Sequence, residues 1–142
     1  MQLYFLNQSD ELERLEQLQK TFTKNIPEVN QMNYLERLKT LKMYSQQRRA
    51  ERYQVIYTWK VLEGLTPNCG ITTIQSENRE CKIPMLKGSQ EVRNLRDQSC
   101  QVRGPRLFNC LPRNIRDTTR VSVLEFKEIL DQFLGLFQTR QK

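Results

Sequence analysis

Arg103-Gly104-Pro105-Arg106-Leu107-Phe108-Asn109-Cys110-Leu111-Pro112-Arg113-Asn114-Ile115-Arg116-Asp117 reads as a short helical corner ringed by arginine. Gly104-Pro105 predicts a turn into a helix, because proline suits the first helical position, where its missing N–H is no loss. Pro112 ends that helix by biasing Leu111 away from the α region. Leu107, Phe108 and Leu111 form a small apolar face at helical spacing, and Arg103, Arg106, Arg113 and Arg116 surround it. A packed anchor of this kind carries guanidinium groups outward, where they suit planar contacts to phosphate.

The elements on either side of the corner are also helical in pattern. Downstream, Ser122 with Glu125 is a capping box, and Phe126, Ile129, Leu130, Phe133, Leu134 and Phe137 make a wide apolar face. Upstream, Ser9 or Asp10 can cap a first helix in which Leu12, Leu15, Leu18, Phe22 and Ile26 form one stripe, a docking face on other helices. Glu11, Glu13 and Glu16 suit its N-terminal end, Lys20 and Lys24 the other end, and Pro27 closes it. Asn33 and Glu36 form a second capping box over residues 34–41, with Leu35, Leu38 and Leu41 facing the core. Ser45 caps a third helix that runs to about Glu63 and stops at Gly64. Its first half is basic through Arg48, Arg49 and Arg52 and projects. Its second half, residues 53–62, is apolar on most sides, so Tyr53, Tyr57 and Trp59 are expected in the core.

Residues 66–101 are less regular. Thr66-Pro67-Asn68 and Lys87-Gly88-Ser89 read as turns. Residues 71–74 and 81–86 have the pattern of short extended pieces that could pair with residues 99–102, in a stretch kept basic by Lys82, Lys87, Arg93 and Arg96. The expectation is therefore a mainly α chain, a single small domain over 1–142 with about four to five helices. Residues 9–64 are the helical part, 65–102 a basic loop or hairpin region, and 103–142 a short helix plus a C-terminal helix. An irregular insertion around 66–103 has room for two strands.

Charge is segregated along the chain. Residues 37–120 hold seventeen bases against seven acids, net +10, while residues 1–36 are net −3 and residues 121–142 are balanced. A basic middle of this kind suits a polyanion partner. The candidate contacts are Arg48, Arg49, Arg52, Lys82, Arg103, Arg106, Arg113 and Arg116. No apolar run is long enough to cross a membrane, and residues 1–6 lack the basic start of a signal peptide. That places the chain inside the cell, in nucleus or cytoplasm, where Cys69, Cys81, Cys100 and Cys110 stay reduced. The cysteines include no C-x-x-C pair and the chain has no histidine, so no metal site or cofactor is expected.

The corner also carries a family resemblance. Gly104-Pro105-Arg106-Leu107-Phe108-Asn109-Cys110-Leu111-Pro112 followed by Arg-Asn-Ile-Arg-Asp resembles the segment near the C-terminus of LINE-type, jockey-like non-LTR retrotransposon reverse transcriptases. The capped helix that follows in that family is matched here by Ser122-Val123-Leu124-Glu125-Phe126-Lys127. Upstream similarity runs through residues 12–26, Tyr34-Leu35-Glu36-Arg37-Leu38, residues 41–45, residues 47–53 and residues 56–64, in one order from about Leu12 to Phe133. The matched segments lie C-terminal to the polymerase palm in that family, around the thumb and beyond it. The resemblance thus implies a region that holds RNA or DNA by its backbone beside a palm domain. Polymerase chemistry needs metal-binding carboxylates, supplied in the family by an Asp-Asp motif, and this chain has no Asp-Asp pair. It also has no phosphate-cradling Gly-x-x-x-x-Gly-Lys loop. The expectation is a non-catalytic fragment or relic of such an RNA-directed DNA polymerase, its first residue marking a truncated open frame. The alternative is a helical protein–protein interaction module whose charge is incidental.

Overall fold

The computed structural model describes residues 8–68, 70–71, 79–83, 88–97 and 99–140. Its elements are all helices: α1 (Gln8–Lys24), α2 (Tyr34–Thr40), α3 (Gln46–Leu62), α4 (Gln90–Asp97), α5 (Cys100–Asn109), α6 (Arg113–Arg116) and α7 (Val123–Arg140). The mainly α expectation holds. Among the described residues there is no strand, only a bridge at Cys81, and residues 72–78 and 84–87 lie outside them. The chain divides into two compact units, Met1–Ala50 and Glu51–Lys142, and the division falls inside α3.

The first unit is built around polar groups. Asn33 accepts a hydrogen bond from the Glu36 N–H at 2.9 Å and the Glu36 carboxylate accepts one from the Asn33 N–H, so the capping box starts α2 as its sequence predicts. The buried residue of α2 besides Leu38 is Arg37, and Leu35, expected inside, is 58% exposed. Arg37 donates through Nε to Thr23 Oγ1 (3.1 Å), and through its other nitrogens to the Met32 carbonyl (2.9 Å) and the Lys20 carbonyl (3.3 Å). On α1, Gln19 and Thr23 are buried, whereas Leu15, Leu18 and Phe22 face solvent. The predicted stripe exists, but α1 packs on the neighbouring face.

The reason lies in partner supply. Gln19 donates to Tyr34 Oη and to the Tyr44 carbonyl, and Glu16 accepts from Tyr34 Oη and from the Gln46 N–H at 2.7 Å, at the start of α3. A buried amide left unpaired costs about 1–3 kcal/mol and a charged guanidinium more, so a face that satisfies several such groups competes with one that buries leucines. Val29 and Leu38 supply the apolar part.

The second unit has an apolar core of Val55, Ile56, Trp59, Val102, Phe108, Leu111, Ile115, Phe126, Leu130 and Leu134. The Trp59 and Phe126 rings stack with centroids 4.3 Å apart and planes 4° apart, joining α3 to α7. Ser122 Oγ accepts from the Glu125 N–H and opens α7 at the expected place. At the other end of α3, Gly64 takes φ +73°. The Leu65 N–H then reaches the Lys60 carbonyl and the Gly64 N–H the Val61 carbonyl, which is the Schellman closure that a glycine stop allows. Phe133 is only partly buried, and the Phe137 side chain lies outside the described part.

Four further expectations are corrected in this unit. Tyr53 is 54% exposed, and Gln54 and Thr58 occupy the inward positions of α3 instead. Pro105 is not at the first helical position: α5 starts at Cys100, with extended Ser99 as its N-cap, and Pro105 lies inside it. Residues 99–102 accordingly form the first turn of a helix, not a strand partner. The cause is the approach of α5 to α3. A Cβ on Gly104 would lie 2.5 Å from Thr58 Oγ1, so only glycine lets the two backbones come this close. Thr58 Oγ1 is satisfied within its own helix by the Gln54 carbonyl at 2.9 Å. Finally, α4 is a helix in a stretch read as loop. Pro112 does end α5, as its sequence predicts, since the helix closes at Cys110 and Pro112 becomes the N-cap of α6.

Candidate nucleic-acid interface

The corner between α5 and α6 is held from its apolar side by Phe108, Leu111 and Ile115, with Leu107 partly exposed. Asn109, the last residue of α5, uses its side-chain amide as a strand edge would. Its Oδ1 accepts from the Cys81 N–H at 2.8 Å and its Nδ2 donates to the Cys81 carbonyl at 2.9 Å. This clamp brings residues 79–83 to the corner and places Lys82 beside it. Cys81 itself is buried, and desolvation pushes its thiol up to about 11 despite the opposing charge of Arg79.

Two arginines and two glutamates fix this segment. Arg79 donates to the Thr118 carbonyl at 2.7 Å and ion-pairs with Glu63 at the end of α3. Trp59 Nε1 donates to the same Thr118 carbonyl at 2.9 Å. Glu63 also accepts from Thr119 Oγ1 (2.8 Å) and the Arg120 N–H (3.2 Å). Burial opposes the Glu63 charge, but the bonds from Thr119, Arg79 and Arg120 and the Arg79 charge outweigh it and hold the carboxyl below its ordinary value. Arg116 pairs with Glu80 at 3.1 Å, and its buried Nε has no acceptor among the described residues.

The eight candidate cations therefore separate by role. Arg52 is gripped by both oxygens of Asp131 on α7, at 2.6 and 3.0 Å. Arg116, its side chain only 11% exposed, serves the fold. Arg113 is exposed and pairs loosely with Asp117, four residues on, at 3.3 Å. Arg103 is half-buried, while Arg106 and Lys82 are exposed. Arg48 and Arg49 belong to the first unit, Arg48 half-buried and Arg49 exposed. Sequence reasoning did not single out Arg120, which is exposed beside the same corner with φ +59°. Nor did it single out Arg79, Glu63, Glu80 or Asp131, whose partners lie between 16 and 79 residues away along the chain.

Among the described residues, no three His, Cys, Asp or Glu side chains are grouped to hold a metal ion, and no helix is long and apolar enough to cross a membrane. No protein-family model matches the chain, and neither curated proteins nor solved structures give a match.

Proposed function

We propose that this chain binds RNA or DNA through the phosphate backbone, without sequence preference and without catalysis, as a C-terminal piece of a non-LTR retrotransposon reverse transcriptase. The observation that carries the reading is the excess of bases over residues 37–120, together with the exposure of Lys82, Arg106, Arg113 and Arg120 around one braced corner. The packed side of the corner keeps it rigid, so cations on the other side meet a polyanion without much ordering cost. Origin from a reverse transcriptase rests on the ordered segments from Leu12 to Phe133, and in such a parent the basic surface would lie near a palm domain. Arg52 and Arg116, spent on Asp131 and Glu80, contribute to shape more than to contact.

Fluorescence anisotropy with labelled single-stranded RNA and duplex DNA at two salt concentrations tests this. Log affinity should fall by about 0.7–0.9 per log unit of salt for each phosphate neutralised. Replacing Lys82, Arg113 and Arg120 together by alanine should flatten that slope by about two to three units. Absence of binding to either nucleic acid at low salt would refute the proposal.

A further inference from the structure

Glu63 is an acid in an unfavourable place. Its N–H donates to the Trp59 carbonyl at 2.9 Å, so it lies at the end of α3, where the helix dipole is negative and a carboxylate is disfavoured. Its side chain is only 11% exposed, and both oxygens are in use. Oε1 accepts from the Arg79 guanidinium and from Thr119 Oγ1, and Oε2 accepts from the Arg120 N–H. One carboxylate thus ties together the end of α3, the segment that carries Lys82, and the turn between α6 and α7. The two arginines it holds share a rare backbone conformation. Arg79 has φ +49° and Arg120 has φ +59°, in the left-handed region that residues with a Cβ disfavour. Such conformations persist where surrounding bonds enforce them, and they gather at ligand sites.

Resting on the reading that this corner takes nucleic-acid phosphates, we infer that Glu63 is its positioning residue: an acid that strengthens polyanion binding by fixing Arg120 and the segment of Lys82 in place. Net charge argues the opposite. A carboxylate near a polyanion repels it, so on charge alone its removal should tighten binding. Geometry decides between the two. The Glu63 charge is paired with Arg79 and largely withdrawn from water, whereas Lys82 and Arg120 are exposed. Cations already held in position meet phosphate without an ordering cost, and loosening them restores that cost. Arg79 also donates to the Thr118 carbonyl at 2.7 Å, so the carboxylate and its arginine grip the turn before α7 from two sides.

Anisotropy titrations of the full-length chain against a labelled single-stranded RNA, over a salt series, test the sign of the effect. Glu63→Gln keeps the side chain's shape and adds one unit of positive charge, but its amide nitrogen is a donor and cannot accept the Arg120 N–H. It should weaken binding at low salt about three- to tenfold and lower the salt slope by about one. In a chain already carrying Lys82→Ala and Arg120→Ala, the same substitution should no longer weaken binding, because the cations it positions are gone. Thr119→Val removes one bond from the carboxylate and no charge, and should weaken binding about two- to threefold; it carries the test by itself where Glu63→Gln disturbs the Trp59 emission. Binding as tight as the parent's, or tighter, in both variants overturns the inference and leaves the polyanion reading standing. Equal weakening by Glu63→Gln in the two backgrounds does the same. A parent chain that binds nothing at low salt overturns both.

Discussion

A methyl group on Gly104 would sit 2.5 Å from Thr58 Oγ1, inside any tolerated contact. Elsewhere in a helix, Gly→Ala gains about 0.5–1 kcal/mol, because alanine loses less backbone freedom. Here overpacking, which costs about 1–3 kcal/mol, should win. Gly104→Ala is expected to destabilise the second unit by about 1–2 kcal/mol in urea unfolding. In a Thr58→Ala background, where the obstructing oxygen is gone, the same substitution should be neutral or stabilising. Residues 103–106 illustrate how a correct local reading goes astray. Gly-Pro is a turn signal by propensity, and nothing in residues 100–110 reveals that α3 presents a threonine at the point where α5 crosses it. The conformational role of Gly64 was legible because the helix it ends can be read from its own periodicity.

Helix positions were largely visible in the sequence; helix orientations were not. The capping residues Asn33, Ser45 and Ser122 act where the sequence puts them, since each bonds an N–H only three residues away. The stripe on α1 was equally plain, yet periodicity states which residues share a face and not which face is covered. Tertiary demand decided it, through an arginine on α2 and a glutamine on α1 that needed partners. The same limit applied to Arg52, which by composition belongs to a basic surface and by position belongs to Asp131. This pair joins α3 to α7 with side chains 26% and 37% exposed, so solvent screening holds its worth to about 0.5–1 kcal/mol. A double-mutant cycle of Arg52→Ala and Asp131→Ala in thermal unfolding should return a coupling of that size, smaller in high salt. A coupling near zero would mean that the guanidinium stays available to a polyanion.

At the scale of the whole chain, the two units respond to opposite ends of the pH scale. In the first, burial raises the Tyr34 phenol from its ordinary 10.0 to about 12, helped by its hydrogen bond to Glu16. Below pH 10 the phenol is protonated whether folded or not, and its contribution is complete. Between about 10 and 12 the unfolded chain gives up the proton while the folded one keeps it, so stability falls as pH rises. In the second, the Glu63 carboxyl is held below its ordinary 4.5, so its contribution is present above that value and fades as pH drops through the folded value. Hydrogen exchange at the two extremes should therefore loosen residues 8–50 first in alkali and residues 51–140 first in acid. The stack of Trp59 on Phe126 makes half of that contrast directly visible. The chain has one tryptophan, fully buried in the second unit, while Tyr34 and Tyr44 lie in the first. Its intrinsic emission reports on one unit only, whereas tyrosines occur in both, Tyr53 and Tyr57 being in the second, so a tyrosine signal with a phase that the tryptophan signal lacks would resolve two unfolding events without any attached label.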